Sequence, residues 1–119
     1  QHGVAALPGA DARLAHAALV VWAVKPQLFA EAASPCRPYV AGALHLSVMA
    51  GVRIASIAAA TGAARIVRAM PNTPALIGQG IAGLHASAAV DAAGRAAVEL
   101  LLAPTGQTLW VEREADLDA

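Results

Sequence analysis

Ala18-Leu19-Val20-Val21-Trp22-Ala23-Val24 is a continuous apolar run, rich in β-branched residues, which Lys25-Pro26 ends. Such a run is typical of a parallel strand covered on both faces, because a half-exposed strand alternates apolar and polar residues. Further strands are predicted by similar runs over residues 43–48, 65–69, 81–86 and 108–111. The sequence therefore predicts a sheet with buried parallel strands at its centre.

The segments between these strands predict helices. Residues 53–60, and a segment after Asp91, each place apolar residues on one helical face, and Asp91 is a good N-cap. Residues 27–33 predict another helix, which Pro35 and Pro38 are expected to end in a turn. The order βαβαβ, then βαβ, predicts an α/β fold with a mainly parallel sheet of the doubly wound, Rossmann type.

Composition excludes several classes of protein. The chain has 119 residues, enough for one compact domain, and its 58% hydrophobic content excludes a disordered tail. Eight basic and eight acidic residues give a net charge of zero, so no field favours nucleic acid or an anionic membrane. We expect neither nucleic-acid nor membrane binding.

Cysteine and histidine usage indicates no metal site. Cys36 is the single cysteine, so it cannot form an internal disulfide, and its proline neighbours predict an ordinary loop cysteine. The four histidines lack the spacing of metal ligands. No signal peptide or membrane-spanning run is visible, and the sequence predicts a soluble, cytoplasmic protein.

The ends of the predicted strands carry small or rigid residues. In open α/β sheets, ligands bind at the carboxyl ends of strands. Here those ends are Lys25-Pro26, Ala50-Gly51 and Pro71-Asn72-Thr73-Pro74. Taken singly, each is also an ordinary way to end a strand. Together, they predict a site for the flat nicotinamide half of a dinucleotide.

A family resemblance rests on the same segments. Ala23-Val24-Lys25-Pro26-Gln27, Ser47-Val48-Met49-Ala50-Gly51-Val52 and Arg65-Ile66-Val67-Arg68-Ala69-Met70-Pro71-Asn72-Thr73-Pro74-Ala75 closely resemble the cofactor domain of pyrroline-5-carboxylate reductase. The resemblance extends from about Gly3 through the acidic tail. Two proline motifs, with an Ala-Gly turn between them, make it specific.

The resemblance implies an enzyme of the last step of proline biosynthesis. Family members reduce L-1-pyrroline-5-carboxylate to L-proline by hydride transfer from NADPH or NADH, and this sequence does not indicate which of the two is preferred. The implied cofactor-binding residues are Ala23, Val24, Lys25, Pro26, Val48, Met49, Ala50, Gly51 and Asn72. No catalytic residue is assigned, since the ring nitrogen of the substrate can be protonated before transfer. A homo-oligomer is implied for the complete protein.

The sequence departs from a complete reductase in two respects. It has no G-x-G-x-x-G loop to bind pyrophosphate, and it lacks the C-terminal helical dimerisation domain that holds the substrate. Residues 1–119 are thus expected to form a partial NAD(P)-binding Rossmann-like domain without its first strands. We expect weak dinucleotide affinity, no activity from this segment alone, and an unpaired apolar edge along residues 19–24 that favours self-association.

Two other functions remain open at this point. One is another NADP-dependent oxidoreductase of the same superfamily, with a different small substrate. The other is a non-catalytic, reductase-like binding module, because a fold does not by itself prove a function.

Overall fold

The computed structural model describes residues 4–5, 19–72 and 81–117. Within them, one sheet contains six strands, each beside the strand that precedes it in the chain. The strands are β1 (Val4–Ala5), β2 (Leu19–Trp22), β3 (Leu44–Ser47), β4 (Ile66–Asn72), β5 (Ile81–Ala86) and β6 (Gln107–Trp110). Strands β1 to β4 are parallel, β4 and β5 are antiparallel, and β5 and β6 are parallel. The predicted α/β fold with a mainly parallel sheet is confirmed.

Short helices connect the strands. They are α1 (Phe29–Ala33), α2 (Arg37–Val40), α3 (Ile54–Thr61) and α4 (Ala92–Leu102), with 3-10 turns at Pro26–Leu28, Ser34–Cys36, Ala103–Thr105 and Glu114–Leu117. The Asp91 Oδ1 atom accepts the Gly94 N–H at 2.8 Å, which confirms the predicted cap of α4. Gly62 ends α3 in the left-handed conformation, with φ of 73°.

Alternation along the strands divides the core between two faces of the sheet. On the first face, Val20, Trp22 and Ile66 pack with residues of α1, α2 and α3. On the second face, strand residues pack with Val98 of α4; they are Leu19, Leu44, Leu46, Val67, Ala69 and Leu84. Because both faces of the central strands are covered, their sequences are apolar almost throughout.

The predicted end of the first helix is confirmed, but the turn expected around the prolines is wrong. Helix α1 ends at Ala33, and new short helical segments follow it, in which Pro35 and Pro38 lie in the first turn. A proline is tolerated there, because the N–H that it lacks would have no partner within the helix. Cys36 is consequently a core residue, 2% exposed, rather than a loop cysteine. Burial raises the pKa of the Cys36 thiol.

Strand β4 is longer than predicted. The sequence predicts that the strand ends at Ala69, but β4 continues to Asn72, opposite Ile81 of β5. Pro71 is compatible with this extension, because β3 pairs with β4 only as far as Arg68 and, among the described residues, no other strand pairs with that side of the extension.

The expected unpaired edge of β2 is wrong in part. Strand β1 pairs with Leu19 and Val20 in parallel. Within the described residues, this ladder does not reach Val21 or Trp22. A short strand thus pairs with two residues of the edge, residues 19–24, that was expected to lack a neighbour. The expected self-association stays a prediction.

Candidate functional site

The carboxyl ends of β2, β3 and β4 meet at one edge of the sheet. Trp22 is aligned with Ser47, and Ser47 with Arg68, so the three parallel strands are in register here. The residues that follow Trp22 and Ser47 therefore begin the connecting segments at the same height. This brings two of the predicted cofactor-binding segments side by side.

The β4–β5 ribbon projects beyond this edge. After Arg68, strand β4 continues for four more residues to Asn72, paired with β5 throughout. At about 3.3 Å per residue, the projection is roughly 13 Å long. A step therefore separates the ends of β2 and β3 from the ribbon. Pro71 and Asn72, the described residues of the third predicted segment, lie on this ribbon.

The segment after β2 is rigid and open to solvent. Lys25 has an extended backbone, and its carbonyl oxygen accepts the Leu28 N–H at 2.9 Å as the Pro26–Leu28 turn begins. Ala23, Lys25 and Pro26 are exposed, and Val24 is half-buried. Four of the predicted site residues thus lie at this edge of the sheet, three of them accessible to a ligand.

The segment after β3 is held by two hydrogen bonds. The Val48 N–H donates to the Trp22 carbonyl oxygen at 3.1 Å, and the Met49 N–H donates to Ser47 Oγ at 3.1 Å. Ala50 and Gly51 are exposed, whereas Val48 is half-buried. The Met49 side chain is 2% exposed and packs in the core, so only its backbone can contact a ligand.

Gly51 leaves free space at the turn. Its φ of +74° favours glycine, and an added Cβ would meet no atom within 4 Å. The glycine is therefore required by the backbone conformation and not by crowding. With the neighbouring Ala50, it leaves a small-residue surface that a planar ring could approach closely.

The turn at the end of β4 is described only in part. The backbone of Asn72 lies in the projecting ribbon, opposite Ile81. The Asn72 side chain, and Thr73 and Pro74, lie outside what the structure describes. The predicted contact of Asn72 with a cofactor is consistent with the strand's position and stays a prediction.

Sequence reasoning missed a cluster next to this site. Arg68, which is completely buried on β4, donates from Nη1 to Glu114 Oε2 at 3.1 Å. The same oxygen accepts the Ile54 N–H, the first amide of α3, at 2.5 Å. One signal was present in the sequence: no Ser, Thr, Asp or Asn directly precedes Ile54 to cap α3. A cap had to come from elsewhere.

A second buried polar group lies below the site, on the first face. The Trp22 Nε1–H donates to His45 Nδ1 at 2.9 Å, and His45 Nε2 lies 2.8 Å from the Val40 carbonyl oxygen. This arrangement requires a neutral ring that is protonated on Nε2. Burial lowers the pKa of His45; the positive charge of Arg65 acts in the same direction and the Val40 contact opposes it.

Across the described ranges, no group of three His, Cys, Asp or Glu side chains is placed to hold a metal ion. In the same ranges, no helix has the length and apolar character needed to cross a membrane.

A dinucleotide fits the residues at this edge. Small side chains and open space above Gly51 allow a flat ring to approach, and the exposed residues after β2 and β3 are accessible to it. Lys25 places a positive charge at the same edge, where it can face a phosphate group.

Comparisons with known proteins identify relatives of the chain. No family model matches it. A pyrroline-5-carboxylate reductase of Pseudomonas aeruginosa is 42% identical over 108 residues, which cover 89% of this chain and 40% of that protein. The structure of a pyrroline-5-carboxylate reductase from Coxiella burnetii is similar with a TM-score of 0.77 and 34% identity, covering 85% of this chain and 38% of that one.

A third relative was solved with a cofactor. The Plasmodium falciparum pyrroline carboxylate reductase, with NADP bound, has a TM-score of 0.78 and 28% identity, covering 92% of this chain and 42% of that chain. The chain spans about two fifths of the length of the relatives it matches. Over most of its length, therefore, the chain belongs to the pyrroline-5-carboxylate reductase family and corresponds to its N-terminal NAD(P)-binding part.

Proposed function

We propose that the complete protein containing this chain reduces L-1-pyrroline-5-carboxylate to L-proline with NADPH or NADH. The observation that carries this proposal is the 42% identity to a curated reductase over 89% of the chain. The meeting of the three similar segments at one sheet edge supports it.

In this proposal, the chain forms one wall of the nicotinamide site. Ala23, Val24, Lys25 and Pro26 lie along the end of β2, and Val48, Met49, Ala50 and Gly51 lie along the end of β3. Asn72 lies on the projecting ribbon. The nicotinamide ring would contact the small side chains, with Met49 contributing its backbone.

The bound dinucleotide supplies a hydride for the C=N carbon of the substrate. The chain's own residues hold the ring in one orientation and limit its exposure to water. No described residue needs to deliver a proton, because the substrate nitrogen can be protonated before the transfer.

The remaining parts of the site are assigned to other regions of the complete protein. Residues 1–119 form part of a Rossmann-like NAD(P)-binding domain. In this proposal, a pyrophosphate-binding glycine loop and a helical dimerisation domain lie in regions of the complete protein other than residues 1–119. The complete protein is proposed to be a cytoplasmic homo-oligomer.

The test is an activity assay of the complete protein with L-1-pyrroline-5-carboxylate, which follows oxidation of the reduced cofactor. We expect turnover, with proline as the product. Ala50→Leu should raise the KM for the cofactor by about fivefold to a hundredfold, because the larger side chain occupies the space of the ring. Ala96→Leu, at an exposed position of α4, is the matched control and should leave KM unchanged.

Other outcomes would favour the alternative functions. Cofactor binding without oxidation by this substrate, but with oxidation by another small imine or carbonyl compound, would indicate a different oxidoreductase. A folded protein that binds no cofactor would indicate a non-catalytic module.

A further inference from the structure

One carboxylate connects three parts of the chain that are distant in sequence. Glu114, in the turn after β6, accepts hydrogen bonds from Arg68 of β4 and from the Ile54 N–H of α3. Arg53, which precedes α3, places its Nε atom 4.0 Å from the other carboxylate oxygen. We call this group of four residues the Glu114 clamp.

The negative charge of Glu114 faces two positive groups, the Arg68 guanidinium and the first turn of α3. Arg68 is 0% exposed, and a buried guanidinium is costly unless a counter-charge faces it. The first turn of α3 also has a partial positive charge, since its N–H groups lack partners within the helix. The Glu114 carboxylate stabilises both, and a neutral side chain in its place would remove this counter-charge from both.

The turn that carries Glu114 is docked on the sheet. Leu117, at the end of this turn, lies over β5, where a Cβ added to Gly83 would be 3.1 Å from Leu117 Cδ2. Gly83 faces Met70 in the projecting ribbon. The turn is therefore anchored at both ends: by Glu114 to β4 and α3, and by Leu117 to β5.

The clamp connects two of the three segments of the candidate site. Arg68 lies four residues before Asn72, and Ile54 lies three residues after Gly51. We propose that Glu114 and Arg68 are positioning residues for the nicotinamide site, which hold the segment of residues 48–53 at a fixed distance from the β4–β5 ribbon. This inference rests on the proposed function and adds a contribution from residues that do not touch the cofactor.

The variants separate charge from hydrogen bonding. Glu114→Gln keeps an oxygen that can accept the Ile54 N–H but removes the charge facing Arg68. Arg68→Met removes the buried charge while keeping most of the side-chain volume. The double variant has neither charge. Asp116→Asn is the matched control: it removes a carboxylate from the same turn, whose partner Arg113 is exposed and 3.4 Å away.

Two readouts are measured on the complete protein: the Kd for NADPH without substrate, and amide hydrogen exchange. For Glu114→Gln, we expect Kd to rise by about threefold to thirtyfold, with faster exchange in residues 48–54 and no change in α4. The double variant should keep a raised Kd, because no side chain then connects β4 to the first turn of α3. In Asp116→Asn, both the Kd for NADPH and the kcat for the reductase should match the wild type.

Several results would overturn the inference. One is an NADPH Kd in Glu114→Gln equal to that of the wild type. Another is a uniform rise in amide hydrogen exchange across the sheet of Glu114→Gln. Either result would show that the Glu114 clamp only stabilises the protein. If Glu114→Gln does not fold, the NADPH Kd of Arg68→Met and of the double variant is compared with that of Asp116→Asn instead. Equal Kd values in all three variants would overturn the inference. A wild-type protein that binds no NADPH contradicts both proposals, whereas one that binds NADPH without reducing the substrate contradicts only the proposed function.

Discussion

The two faces of the sheet bury different kinds of side chain. On the second face, the buried strand residues are all aliphatic. On the first face, His45, Ser47 and Arg68 are fully buried among apolar neighbours, and each has a hydrogen-bond partner. Apolar contacts stabilise without fixing direction, whereas buried hydrogen bonds require particular geometry. The polar face is also the one covered by α1 and α3, the helices that follow the site segments after β2 and β3.

The largest effect is expected on the aliphatic face. Leu46→Ala should lower the free energy of unfolding by about 2–5 kcal/mol, because it removes buried methyl groups and leaves a cavity in well-packed surroundings. Urea unfolding of the complete protein measures the change. Leu100→Ala, at a residue that is 78% exposed, should change it by less than about 0.5 kcal/mol. Equal losses in the two variants would contradict the assignment of the second face as core.

On the polar face, Trp22→Phe tests the buried hydrogen bond. It removes the donor to His45 Nδ1 and leaves that nitrogen buried without this partner, which should cost about 1–3 kcal/mol of unfolding free energy. Trp110→Phe is the matched control, because Trp110 is half-exposed and bonds to Glu99 at the surface. A loss in the control as large as in Trp22→Phe would show that the buried bond adds nothing.

On the aliphatic face, the N-cap of α4 can be tested independently of core packing, because Asp91 is exposed. Asp91→Ala should destabilise the protein by about 1 kcal/mol, since the Gly94 N–H loses its acceptor. Asp91→Asn keeps an oxygen at the same place and should lose less than half as much. Thermal unfolding of the wild type, Asp91→Ala and Asp91→Asn checks this ranking of stability. A larger loss in Asp91→Asn than in Asp91→Ala would rule out the cap as the cause.

Mild acid should weaken the polar face through His45. Because the pKa of folded His45 lies below its unfolded value of about 6.5, the unfolded chain binds this proton more readily. The contribution to stability is complete above that value and is lost as pH falls through the lower folded pKa. His45→Gln should flatten this dependence of the unfolding free energy. Trp22 fluorescence in a Trp110→Phe background reports the change, and a pH slope unaltered by His45→Gln would exclude His45.

The sequence predicted the strands well, because fully buried parallel strands are apolar throughout and short in this chain. Residues 43–48 and 108–111 were each assigned within about one residue of the observed β3 and β6. The prolines were less informative. Helix α1 ends before Pro35 as predicted, but the turn expected around Pro35 and Pro38 is replaced by new helical segments, since a proline is compatible with the first turn of a helix and incompatible only with its interior.

The candidate site was predicted from residue types that are visible locally. Small and rigid residues such as Pro26 and Gly51 have conformational effects that do not depend on distant neighbours, so their segments could be located in the sequence. The role of Met49 could not, because strand alternation had to be known before its side chain could be assigned to the core.

The sequence by itself determined the fold class, the chain order of strands β2 to β6 and the two segments that follow β2 and β3 at the sheet edge. Apolar periodicity and the stereochemistry of proline and glycine are local properties, and they suffice for this. Only the tertiary structure decided that Glu114 faces Arg68 and caps α3 sixty residues away. Such contacts depend on how strands and helices pack, and the local sequence around an acidic residue does not specify which buried charge or helix end it will meet.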